Sequence, residues 1–202
     1  MSRKVFDRIA SASGAVIVVV LLVAGGLLIW GHSYTNNQVR TQLAQQQIFF
    51  PAKAAFAHPK AGSEITPSMI PSVSQYAGQQ LLTGQQAQVW ANDFIAVHLY
   101  NMPYHGVYAN ISAAARAAKP GSAQATSLAA LEQTSFQGTT LRGMLLNAYA
   151  FWKISQLMLW GAIASFVLAL VMALLVGLGL AHASRTEPEK QLSLGRVQAA
   201  AS

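Results

Sequence analysis

GAIASFVLALVMALLVGLGLA, residues 161–181, is the stretch that decides the architecture of this chain. It carries no charge and is long enough as a helix to cross the ~30 Å hydrocarbon core of a bilayer. Every fourth position is small: Gly161, Ser165, Ala169, Ala173, Gly177 and Ala181. Between them stand Phe166, Val167, Leu168, Leu170, Met172, Leu174, Leu175 and Leu178. A line of small side chains on an apolar helix lets a second backbone approach closely, and fourfold spacing favours a right-handed crossing near about −40°.

The charge map extends this reading. Only 9% of the 202 residues are charged, while 53% are hydrophobic; a soluble domain carries roughly 25% charged residues. Residues 9–39 and 154–184 are free of Asp, Glu, Lys and Arg. The sequence therefore predicts transmembrane helices at 13–31 and 157–181. The first resembles a signal sequence in its basic start, MSRKVFDR. Its apolar run from Ala15 to Trp30 exceeds the roughly 7–15 residues of a signal core, and no small-residue cleavage site follows. It reads as an uncleaved anchor.

Basic residues near the spans set orientation. Arg3, Lys4 and Arg8 precede the first span, and Arg185, Lys190 and Arg196 follow the second. Tails 1–12 and 182–202 thus read as cytoplasmic and 32–156 as extracytoplasmic, in the plasma membrane. Lys153, close to the second span on the outer side, pulls mildly the other way. The net charge of +7 is spread along the chain and suits anionic headgroups. No nucleic-acid-binding motif accompanies it.

The outer segment reads as helices separated by proline and glycine. Ser33–Ile48 extends the first helix. Phe49–Pro71 contains Pro51, Pro59, Pro67 and Pro71 and reads as a loop. TGQQAQVWANDFIAVHLYNMP, with Thr83 as cap and Pro103 as stop, is the best soluble helix. ANISAAARAAKPG and SLAALEQTSFQG follow as shorter helices, the latter ending near Gly138. One long helix is expected from Thr140 to Ala183. The fold class is an all-α membrane protein, two transmembrane helices in a hairpin with a small helical extracytoplasmic domain between them. With no cysteine, that domain has no disulfide staple.

Chemistry is sparse in this sequence. His98, Met102 and His105 fall within eight residues, and imidazole with thioether suits copper. Pro103 interrupts their helix and the ligand set is incomplete, so no metal or other cofactor is assigned; His58 is a possible completion. The acids of the outer segment, Glu64, Asp93 and Glu132, are far apart. No nucleophile elbow or phosphate loop occurs, and an enzyme is not expected. Neither span carries the intramembrane charge that marks an ion path.

The first span offers mates for the small-residue line. Gly25 and Gly26 are expected near Gly161 and Ser165, and Gly14 near Gly177. Trp90, Phe94, Tyr100 and Tyr104 are expected as core or contact face of the outer domain. The implied partners are the lipid bilayer and other membrane subunits or a second copy. The function expected is an accessory, assembly or stabilising subunit, with a ligand- or metal-responsive sensor cap as the rival.

Three stretches, FAHPKAGSEITPSMIPSVSQYAGQQL, TGQQAQVWANDFIAVHL and FQGTTLRGMLLNAYAF, resemble a family of small two-span actinobacterial membrane proteins. Some of its members are labelled an aromatic ring-opening dioxygenase subunit. That chemistry needs a metal-ligand set, which is not legible here, so the resemblance implies a two-span membrane protein without implying an oxygenase.

Overall fold

In a computed structural model of the chain, residues 3–57, 59 and 64–185 are described. His58, Lys190 and Arg196 lie outside them. Two helices dominate. Helix α1 runs Arg3–Gln45, uninterrupted because no proline occurs before Pro51. It ends where Gln46 and Gln47 donate to the Leu43 and Ala44 carbonyls, with Gln47 at a positive φ of 51°.

Among the described residues, five shorter helices and several tight turns follow before the last helix. α2 (Lys53–Ala57) and α3 (Ile70–Val73), flanked by single 3-10 turns, give the proline-rich segment more helix than expected. Pro67 and Pro71 occupy first-turn positions, where a missing N–H costs nothing. α4 (Gly84–Val89) opens on a capping box. The Thr83 hydroxyl accepts from the Gln86 N–H, and the Gln86 side-chain oxygen accepts from the Thr83 N–H at 3.0 Å. The helix expected to run straight to Pro103 instead widens into a π turn at Trp90–Ile95 before continuing as α5 (Ala96–Asn101). α6 covers Tyr108–Ala117.

Helix α7 spans Ala123–Arg185, about 95 Å at 1.5 Å per residue. Ser122 caps it, its hydroxyl accepting from the Ala125 N–H at 3.1 Å. The break expected near Gly138 is absent. A glycine inside a helix costs only about 1 kcal/mol, and no proline supports the break. Gly138 has a packing role instead, since a Cβ there would lie 2.8 Å from the Leu99 Cδ2 of α5.

No strand occurs among the described residues, which are helical apart from turns and one isolated bridge, Phe49 to Gln80. α1 and α7 are each long and apolar enough to cross a membrane. The most apolar window of each has a mean hydropathy of 2.7, and only 11% and 6% of those windows are buried.

The chain divides into two compact units. One comprises Met1–His32 with Leu157–Ser202, and the other comprises Ser33–Gln156. The second has its own core. Met69, Val73, Leu81, Ala87 and Ala91 are fully buried there, with Val39 and Leu43 of α1 and Leu145 of α7. Ile111 and Ser135 are buried in the same unit.

Candidate functional site

The first unit contains the helix-packing candidates. A Cβ on Gly14 would lie 2.6 Å from Val176 Cγ2, and one on Gly25 would lie 2.8 Å from the Phe166 ring. Gly31 lies against Met158, and Gly161 against Leu28. Numbers rise along one helix as they fall along the other. Gly14 and Gly25 thus meet residues one position from Gly177 and Ser165, while Gly26 and Gly177 face open space.

The buried seam on α7 does not follow the fourfold row. Ala162, Ala169 and Ala183 are buried, with Ser165, Met172, Val176 and Gly179 partly buried between them, and Ala173 is exposed. Steps of three and four alternate along this set. That is the spacing of left-handed packing near about +20°. The fourfold row leaves the seam after Ala169 because four residues turn a helix by about 400°.

A small cleft of about 260 Å³ lies in this unit, lined by Asp7, Ser11, Gly14, Met172, Val176 and Gly179 among others. One Asp7 carboxylate oxygen is buried there without a hydrogen-bond partner.

In the second unit the four aromatic candidates divide into two pairs. Trp90 and Phe94 pack against the core. Trp90 meets Phe50 edge-on at 5.0 Å and stacks on Phe94 at 4.2 Å. Tyr100 and Tyr104 are exposed, at 64% and 46%. Between them and Tyr108 the chain makes an unusual turn, in which Tyr104, His105 and Gly106 have φ of 58°, 53° and 63°. Left-handed backbone costs a non-glycine residue roughly 1–2 kcal/mol, so neighbouring contacts must hold the turn. Tyr100 stacks on His105 at 4.7 Å, Tyr108 meets Phe136 at 6.0 Å, and buried Ser135 donates to the Gly106 carbonyl at 2.7 Å.

The structure does not gather His98, Met102 and His105 into a ligand set. His98 directs Nδ1 at the Phe94 carbonyl (2.8 Å) and lies against the Phe94 ring, while His105 directs Nδ1 at the Tyr100 carbonyl (3.3 Å). Met102 is the extended residue that ends α5. Among the described residues no three His, Asp or Glu side chains are grouped as metal ligands would be.

A groove of about 580 Å³ that sequence reasoning missed lies in this unit. α1 contributes Tyr34, Thr35, Gln38 and Gln42 to its wall, the turn that follows it contributes Gln46, and α7 contributes Leu141, Met144, Asn147, Ala148 and Phe151. Trp90 and Ile95, the first and last residues of the π turn, also line it with Val39, Leu43 and Leu145. None of its lining residues is charged. Beside it, Arg142 donates to the Asn92 side-chain oxygen at 3.0 Å. The glutamines at 38, 42 and 46 were legible as a helical spacing, but what they face depends on residues about a hundred positions away.

No family model, curated protein or solved structure matches this chain.

Proposed function

We propose that this chain is a non-enzymatic two-span plasma-membrane protein, an accessory or assembly subunit that holds a partner through its outer helical domain. In this reading α1 and α7 cross the bilayer as a hairpin, both termini are cytoplasmic, and 32–156 lies outside. The exposed apolar surface of both helices supports the membrane part, because lipid can solvate side chains that no protein core covers. Trp30 and Trp160, each 67% exposed, suit the interfacial aromatic belt.

The observation that carries the subunit reading is the aromatic ledge around the Tyr104–Gly106 turn. Tyr100, Tyr104, Tyr108 and Phe136 are all exposed. Tyr and Phe are enriched at protein interfaces, and a contiguous exposed patch of them marks an interaction site. A strained turn tied down by a buried hydrogen bond holds these rings in place before any partner arrives, which lowers the entropy lost on binding. The rival sensor reading draws support from the groove beside Trp90, a concave site of ligand size.

The chain has no cysteine, so single-cysteine variants report topology directly. Ser127→Cys should react with an impermeant maleimide on intact cells, and Ser193→Cys only after permeabilisation. Purification from native membranes in mild detergent should bring a stoichiometric companion that Tyr100→Ala/Tyr104→Ala loses. Recovery of the wild-type chain alone would overturn the subunit reading.

A further inference from the structure

The groove between the Gln38–Gln42 face of α1 and the Leu141–Phe151 face of α7 has a specific chemistry. The α1 wall presents the amides of Gln38 and Gln42 one helical turn apart, about 6 Å along the axis, and Gln46 adds a third from the turn that ends the helix. On the α7 wall, Leu141, Met144 and Phe151 are 51%, 62% and 58% exposed, a row of apolar side chains left facing a cavity. Trp90 supplies an aromatic surface, and its π turn is a second feature pointing to a site. Such turns insert an extra residue into a helix at the cost of poorer hydrogen bonds and occur frequently at functional positions. The absence of charge in the lining disfavours an ionic ligand, which would leave water without a counter-charge.

We propose that this groove binds an uncharged membrane amphiphile. Its hydroxyl or ester head lies against Gln38, Gln42 and Asn147, and its hydrocarbon lies along Leu141, Met144 and Phe151. The source is the bilayer. Tyr34 follows Trp30 by one helical turn of α1, and Phe151 precedes Leu157 by less than two turns of α7, so each wall is carried on the same helix as an apolar run. The cavity volume lies inside the roughly 300–1,000 Å³ range of small-molecule sites. The inference rests on the membrane reading and is independent of the accessory-subunit reading.

The test uses the full chain in phosphatidylcholine nanodiscs, with Trp30, Trp152 and Trp160 changed to Phe so that Trp90 alone reports. A monoacylglycerol carrying a doxyl quencher on its chain is titrated in, with the doxyl fatty-acid anion of equal length as control. Saturable quenching is expected, at least tenfold weaker for the anion. Gln42→Glu, a change at an exposed side chain, should weaken the neutral probe at least tenfold, and Ala148→Phe should do the same by filling the groove. Circular dichroism must match the parent for both variants. Quenching that rises linearly and identically in parent and variants overturns the proposal, as does equal binding of the anion. So does a partner helix cross-linked from a photoreactive residue at position 144 in native membranes in place of lipid. Alkaline extraction of the parent chain is run alongside; release from the membrane there would sink the membrane reading itself, a separate failure.

Discussion

Ser135, fully buried on α7, donates a 2.7 Å hydrogen bond to the carbonyl of Gly106, which is itself buried at the end of the left-handed turn. The two residues are 29 positions apart. This bond joins the aromatic ledge to the longest helix of the protein. Gly106 has no alternative there, because a Cβ would run into the backbone of Leu99.

Ser135→Ala leaves the Gly106 carbonyl buried and unpaired, at a cost of about 1–3 kcal/mol. The expected outcome is a lower unfolding temperature of the purified chain together with weaker partner capture. An unchanged unfolding temperature would mean that water replaces the hydroxyl and that the bond does not hold the turn.

Tyr104→Gly separates stability from contact. It relieves a left-handed residue that costs roughly 1–2 kcal/mol, against a glycine entropy cost of about 0.5–1 kcal/mol. Stability should stay level or rise slightly while companion recovery falls. Loss of stability with companion recovery intact would show that the ring serves the fold rather than a partner.

The two ends of the α1–α7 seam can be tested with one substitution type. Gly14→Leu and Gly25→Leu push side chains into Val176 and Phe166, whereas Gly26→Leu and Gly177→Leu enter open space. Overpacking costs typically about 1–3 kcal/mol. The first pair should lower thermal stability in detergent and the second pair should not. Equal effects from all four would rule out the seam described here.

Gly84, the first residue of α4, lies flat against Trp152 and the Ala148 carbonyl of α7, with no room for a Cβ. Gly84→Val should destabilise the outer unit more than Thr83→Ala, which removes the capping hydroxyl for about 1 kcal/mol. Limited proteolysis between Pro51 and Pro103 is the readout. Comparable cleavage of both variants would count against the tight α4–α7 approach.

Much of the helical layout was legible because its signals are local. Thr83 three residues before Gln86, Pro120-Gly121 ahead of Ser122, and the absence of proline through both long runs each act within a few residues. Gly138 misled because glycine's conformational freedom and its small size look the same in a sequence. Only Leu99 packing against it identifies which property is used. The π turn was invisible for a related reason, since WANDFI carries no breaker and its periodicity fits an ordinary helix.

What the sequence determined by itself was the existence, composition and reach of two apolar helices and of the helical pieces between them. Helix propensity, capping and hydropathy are sums over neighbouring residues, and those sums are large here. Tertiary structure alone decided which face of α7 forms the seam, where Tyr104 and His105 are held against their backbone preference, and that Gln38 and Gln42 of α1 line a groove with Leu141, Met144 and Phe151. Each of those outcomes depends on contacts between residues far apart in the chain, where a shift of one residue turns a helix face by about 100°.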